Sequence, residues 1–320
     1  LNMKGASNFK QPGDIDLAAF LAGNDLLLFP ENVPLAIDKI VAAYQDKRIS
    51  EERLAFSVKK ILHYKYKAGL NKYKTIETAN LIQDLNPASN TASNTALDYQ
   101  LYENAVTVLQ NKNEILPIKN LNQKIAYVEL GDDDNTPFVT TLKKYTEVTE
   151  VAHTNIDSLN KELKKYNTVI VGYHKPDKVY GKPDFSETEL LFLQEIAKNN
   201  TVILDVFTKP YALLQLPNFD SIEGLVVSYQ NSNIAQEVSA QLLFGAIAAK
   251  GKLPVSINKS FKVNTGLTTQ KLNRLGFTAP ENVGINTETL KTIDSVAQKA
   301  IDDKITPGIQ LLVARKGKVI

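Results

Sequence analysis

Four apolar runs set at regular intervals decide what the middle of this chain can fold into. The stretches "KIAYVEL" (124–130), "NTVIVGY" (167–173), "NTVILDVF" (200–207) and "IEGLVVSY" (222–229) read as strands, with helical patterns near 136–145, 155–165, 186–198 and 209–215 between them. An apolar run without in-and-out alternation is a strand buried on both faces. Repeated βα units of that kind specify a mainly parallel sheet, covered by helices on both sides and closed by right-handed crossovers. The last run leads into a long apolar helix predicted over 235–249. The fold class is therefore α/β, doubly wound.

The flanking regions read differently. Residues 14–22 are helical, residues 25–29 (Asp-Leu-Leu-Leu-Phe) form a continuous apolar strand of the parallel-sheet or barrel type, and residues 34–44 repeat apolar side chains at Ile37, Ile40, Val41 and Tyr44. Ser50 is an N-cap signal, with Glu51 and Glu52 in the first turn of a helix that runs on Leu54, Val58, Ile61 and Leu62 to a stop at Gly69. From Lys72 to about Thr95 the chain turns polar, and "NPASNTASNTA" has the composition of a linker. A second transition falls near 265–280, followed by a helix over 287–303, a strand over 310–314 and a turn at Lys316-Gly317.

Composition excludes several function classes. The net charge of +2 is spread over mixed helix faces, so there is no basic stripe to follow a phosphate backbone, and nucleic acid is not expected as a partner. No apolar run approaches the ~18 residues of a membrane span. No charged-then-apolar leader marks a secretion signal in these residues, though a missing amino-terminal piece could have carried one. With 0 Cys, disulfides, thiolate metal sites and Cys nucleophiles are excluded.

Motifs for chemistry are sparse. The near match to a phosphate loop, "GAIAAKGKL" (245–253), has the wrong spacing and lies at a helix C-terminus, where the dipole repels anions, so Gly251 reads as a helix stop. No G-x-G-x-x-G follows a strand, and no cofactor is expected. S-x-x-K pairs at Ser57/Lys60, Ser158/Lys161 and Ser256/Lys259 read as chance matches in a Lys-rich chain. His63, His153 and His174 are isolated and read as solvated or capping side chains; His174, at the carboxyl end of a strand, is the best placed for a ligand. "GDDDN" (131–135) has carboxylates for a cation, but adjacent acids diverge, and a solvated loop with a helix cap explains them; no metal site is expected. Asp14, Asp16, Asp25 and Glu31 flank the 25–29 run, and Asn32 just beyond it is explained by capping of the next helix.

Taken in order, "NMKGASN", "GDIDLAAFLAGNDLLLFPENVPLAI", "ISEERLAFSVKKILHYKYKAGL", "AVTVLQNKNEILPI" and "GAIAAKGKLPVSI" resemble successive landmarks of glycoside hydrolase family 3, in its β-N-acetylglucosaminidase branch, over residues 1–257. The resemblance implies a TIM-type barrel followed by an α/β sandwich. It also implies a retaining hydrolase acting on cell-wall or chitin-derived glycans, with a carbohydrate substrate and an Asp nucleophile in a motif S/T-D-x-L-x-M-x-G-A. The chain matches that motif at Leu1, Met3, Gly5 and Ala6, which puts the aspartate two residues ahead of Leu1. The acid/base, a His paired with an Asp in that branch, belongs to an earlier barrel loop. By position, Met3 and Asn2 are substrate-binding wall contacts, a place that simple core packing also explains; no catalytic residue is expected within the 320.

Residues 280–320 resemble the opening helix and hairpin of serine hydrolases of the β-lactamase and penicillin-binding type. The expected organisation is therefore the C-terminal part of a barrel at 1–71, a linker at 72–96, the α/β sandwich at 97–265, a linker at 266–279 and the start of an incomplete third domain at 280–320. These residues alone are expected to be inactive, with the barrel remnant poorly stable. Family habit implies a periplasmic or secreted location. It leaves open a homodimer, contact with the serine hydrolase module, and the alternative of a non-catalytic sandwich that touches carbohydrate or dimerises.

Overall fold

The computed structural model describes residues 1–152, 155–177 and 184–320, so His153 lies outside the described residues. The chain divides into two units, Leu1–Ile82 and Gln83–Ile320.

Unit one is helical: α1 (Lys4–Ser7), α2 (Asp14–Leu21), α3 (Val33–Gln45) and α4 (Glu51–Lys67). Asn32 accepts the Leu35 N–H at 3.0 Å and Ser50 the Arg53 N–H at 3.1 Å, so both caps form as the sequence suggests. Leu17, Phe20, Ala43 and Ile49, with Ile40 against them, make a small core. The expected strand at 25–29 does not form. Residues 1 and 2 are hydrogen-bonded to the Leu28 and Phe29 carbonyls, and Phe29 takes φ +51°, which breaks an extended run. Two bonds are too few for a ladder, and Leu26, Leu28 and Phe29 stand 66–68 % exposed. Asp25 instead faces α4. Its carboxylate accepts from Lys60 Nζ at 2.6 Å, Ser57 Oγ at 2.8 Å and Arg53 Nη1 at 3.0 Å, and these bonds hold its pKa down at about 2.

The polar stretch that composition marks as a linker is helical from Ala88 onward. After α5 (Leu81–Leu85), helix α6 (Ala88–Ala105) buries Ala96 and packs Tyr99 and Tyr102 against the sheet's core. Tertiary packing thus outweighs the weak helix propensity of its Ser, Asn and Thr.

Unit two carries β1 (Thr107–Asn111), β2 (Ile125–Gly131), α7 (Thr136–Lys143), β3 (Val148–Glu150), α8 (Ile156–Leu163), β4 (Thr168–His174), α9 (Glu187–Asn199), β5 (Val202–Phe207), β6 (Gly224–Val227) and α10 (Asn233–Leu243). The sheet order is β1-β6-β5-β4-β2-β3, parallel throughout except for β1, which runs antiparallel to β6. Each strand sends alternate side chains to two cores. Val169, Val171, Leu204 and Val206 meet Leu159 and Leu163 of α8 and Leu193 and Ile196 of α9. Ile170, Ile203 and Phe207 meet Phe138 and Leu142 of α7 and Val238 and Leu242 of α10. This is the doubly wound α/β sandwich expected. The 209–215 helix is a 3₁₀ turn (Pro210–Gln215), and α10 stops six residues short of Ala249, with the Leu272 N–H closing on the Gly245 carbonyl.

Beyond the sandwich come β7 (Gly276–Phe277), α11 (Thr287–Asp302), β8 (Ala314–Arg315) and β9 (Lys318–Val319). The strand expected over 310–314 starts only at Ala314. Its partner β9 also pairs in parallel with β7, in a sheet of order β7-β9-β8. Residues 266–279 are not a free tether: Arg274 donates to the carbonyls of Ile118, Lys119 and Phe244, and the Phe277 N–H donates to Gln241 Oε1 on α10 at 2.7 Å.

Candidate functional site

The connection out of β2 goes to β3 on one side, and the chain then crosses back to β4 on the other. That reversal is a topological switch point, and the crevice beyond the carboxyl ends of the strands at such a point, here β2 and β4, is where open parallel sheets bind ligands. It is bounded by loops 132–135, 175–177 and 228–232. Gly131 is required at its base: with φ +102°, a Cβ there would lie 1.8 Å from the His174 carbonyl oxygen.

His174, expected to be solvated or capping, is completely buried. Its ring folds back over Gly172, whose missing Cβ would meet Nε2 at 2.4 Å, and it stacks on Phe207 at 4.4 Å. Nε2 lies 2.9 Å from the Tyr127 hydroxyl and Nδ1 2.7 Å from Asn231 Oδ1. Asn231 Nδ2 donates to Asp133 Oδ2 and to the Asp134 carbonyl, both at 2.9 Å, while its Oδ1 also accepts from Gln236 Nε2. An amide with that orientation needs a proton on His174 Nδ1, so Nε2 accepts from Tyr127. Burial pushes the imidazole pKa down to about 4, which keeps it neutral. The network runs Tyr127–His174–Asn231–Asp133, from the core to the crevice.

Beside it, Asp205 on β5 is fully buried and accepts from Ser228 Oγ at 2.7 Å and from Ser239 Oγ on α10. No cation is among these partners, and burial raises its pKa to about 6 against the lowering effect of the two hydroxyls. On the other side, Lys175 Nζ lies 3.2 Å from Asp132 and 3.4 Å from Glu189. Glu189 closes the capping box of α9 with Ser186 and also accepts the Gly131 N–H at 2.9 Å.

The structure places the remaining sequence candidates elsewhere. Asp134 accepts the Thr136 N–H and hydroxyl at the start of α7, and among the described residues no group of three His, Cys, Asp or Glu could hold a metal ion. Ser57 and Lys60 are tied to Asp25, and that bond raises the Lys60 pKa, the opposite of what a catalytic base requires. Ser158 and His63 are exposed, and Ser256 caps the Val263 N–H. Gly251 is no helix stop; a Cβ there would lie 2.2 Å from the Ala105 carbonyl, so it permits close backbone approach. Met3 is 75 % exposed, outside any core, and the Asn2 N–H donates to the Phe29 carbonyl at 3.1 Å. The sequence does not single out Tyr127, Asp205, Ser228, Asn231 or Ser239. Of these, Asp205 carries a signal: it is the one acid within "VILDVF", and a charge inside a two-face-buried strand needs a partner or a raised pKa.

A family model described as the glycosyl hydrolase family 3 C-terminal domain matches residues 106–288. The lysosomal beta glucosidase of Dictyostelium discoideum is 25 % identical over 295 residues, covering 75 % of this chain and 34 % of that protein. Among solved structures, a glycoside hydrolase family 3 β-N-acetylglucosaminidase from Paenibacillus sp. str. FPU-7 aligns with TM-score 0.55 at 20 % identity, covering 81 % of this chain and 50 % of that one. A β-glucosidase from Listeria innocua aligns with TM-score 0.52 at 18 % identity, covering 78 % and 38 %. At such identities the structural likeness shows the fold, and the chain spans between a third and a half of the length of these relatives. Because the model match covers more than half of the residues and falls on the doubly wound unit, the chain belongs to glycosyl hydrolase family 3.

Proposed function

We propose that this chain serves a retaining glycoside hydrolase that removes β-linked N-acetylglucosamine, or a related β-sugar, from cell-wall or chitin-derived glycans outside the cytoplasm. The family match over residues 106–288 carries the reading. Retaining hydrolysis needs one carboxylate to attack the anomeric carbon and a second group to protonate the leaving oxygen. On the motif at Leu1–Ala6, the nucleophile belongs two residues ahead of Leu1, and the acid/base further upstream; Asn2 and Met3 are then wall contacts of the sugar pocket.

In this reading unit two performs no bond cleavage. Its crevice offers oriented acceptors and a lysine, Asp132, Asp133 and Lys175, which suit the hydroxyls of a sugar, and its rigid network holds them in place. Residues 280–320 would open a serine hydrolase module. Among the described residues no helix is long and apolar enough to cross a membrane; the periplasmic or secreted location rests on family resemblance.

The test compares residues 1–320 with a chain extended upstream through a complete barrel, each assayed on aryl β-N-acetylglucosaminide and aryl β-glucoside. Activity confined to the longer chain is expected, with the glucosaminide preferred. Turnover by residues 1–320 alone would refute the placement of the nucleophile, and preference for the glucoside would refute N-acetylglucosamine in favour of the related β-sugar.

A further inference from the structure

The turn after β6 makes an anchoring contact from each of its four residues, each to a different part of unit two. Ser228 donates to Asp205 on β5, and the Tyr229 hydroxyl shares a 2.7 Å hydrogen bond with Thr107 Oγ1 on β1. Gln230 donates to Asp177 at 3.0 Å and accepts from the Tyr102 hydroxyl of α6. Asn231 bridges His174, Asp133, the Asp134 carbonyl and Gln236. Tyr229 takes φ +66°. A bulky non-glycine residue in the left-handed region is an outlier that persists only where its surroundings over-determine it. A turn that merely joined β6 to α10 would carry Gly or Asn there.

The geometry points to Asn231 as a positioning residue: through it the turn 228–231 sets loop 132–135 and fixes the acceptors offered to a carbohydrate hydroxyl. The carbohydrate rests on the reading proposed above; the mechanical coupling does not. Asparagine is chemically specified. Its carbonyl oxygen must accept from His174 and Gln236 while its amide donates both hydrogens to loop 132–135, and no other residue of that length does both. An aspartate there would face Asp133 with like charge and leave the Asp134 carbonyl with Gln236 Nε2 as its one remaining side-chain donor.

The experiment uses Asn231→Asp, and Asp133→Ala as a second variant that removes one of Asn231's two bonds to the loop, and the Asp133 acceptor with it, while leaving the bonds to the Asp134 carbonyl, His174 and Gln236. In the full-length enzyme, both are expected to raise KM for the aryl glycoside about tenfold with kcat changed less than about threefold. In the 320-residue chain, hydrogen exchange of residues 130–136 should quicken in both variants. The His174 ring pKa, read by NMR, should rise in Asn231→Asp and fall in Asp133→Ala, which removes a carboxylate that holds it up. Quickened exchange with an unmoved KM in an active enzyme overturns the positioning role, since a purely structural residue would behave so. Unchanged exchange overturns the mechanical coupling even where the full-length protein proves inactive. Inactivity of the full-length wild type with quickened exchange in the variants counts against the hydrolase reading alone and supports the coupling.

Discussion

Replacing Asp205 by Asn should tilt the pH dependence of folding, because Asp205 and His174 are buried in the same layer and titrate in opposite senses. Asp205 has its pKa raised from 3.8 to about 6 by burial. Its contribution to stability is therefore complete below the unfolded value of 3.8 and is lost as pH rises through about 6. His174 has its pKa lowered from 6.5 to about 4, so its contribution is complete above 6.5 and is lost as pH falls through about 4. One pKa unit corresponds to about 1.4 kcal/mol, which makes each contribution about 3 kcal/mol, with slopes of opposite sign between pH 4 and 6. In the wild type the two cancel over that interval, where both groups are uncharged in the fold. Other groups facing them, Asp133 and Asp134 near His174 and Tyr127 near both, are common to wild type and variant. In Asp205→Asn the amide can still bond Ser228 and Ser239, and only the histidine slope remains. Urea titrations at pH 4 to 7, read by pulsed hydrogen exchange on peptides from β4 and β5, should show the variant gaining on the wild type by about 1.4 kcal/mol per pH unit between 4 and 6. Parallel profiles would refute the assignment of a protonated carboxyl to the core.

Two further outcomes test the packing. Gly131→Ala adds a Cβ 1.8 Å from the His174 carbonyl at φ +102°, and should cost unit two about 3 kcal/mol or more, seen as a fall in its melting temperature; a change below about 1 kcal/mol would mean the loop yields freely. Asp25→Asn should weaken unit one at neutral pH and flatten its acid sensitivity. With a folded pKa of about 2 against 3.8, the carboxylate's contribution is present above pH 3.8 and is lost toward pH 2; an unaltered acid limb in circular dichroism would refute that role.

Much of unit two is legible in its residues because the central strands β4, β5 and β6 are buried on both faces and several helices carry their own start signal. "NTVIVGY" and "NTVILDVF" have no polar alternative to a central strand, and Ser186, Asn155 and Ser232 accept first-turn N–H groups as capping rules dictate. The failures have physical causes. Residues 25–29 are apolar enough for a strand, but a strand also needs ladder partners, and only residues 1 and 2 lie alongside. The Ala88–Ala105 helix has almost no local preference to announce it; Tyr99 and Tyr102 hold it from the other side of the contact. The burial of His174 escapes the sequence because an isolated position says nothing about Gly172, the vacancy two residues earlier into which its ring folds. Asn231 is invisible for a related reason: two of its four hydrogen bonds join segments about 100 residues apart in the chain, and a polar turn residue has many bland readings.

The short strand β7 has an organisational consequence. Gly276 and Phe277 are held to α10 through Gln241, yet their ladder partner is Lys318–Val319, the returning arm of the last hairpin. The carboxyl-terminal hairpin is thus spliced onto the sandwich by a shared strand, and swivelling at that junction would require backbone bonds to break. A protease nick or engineered cut between Phe277 and Ala314 should leave the two pieces associated, and separating them would strip β7 from the hairpin while leaving Phe277 bonded to Gln241.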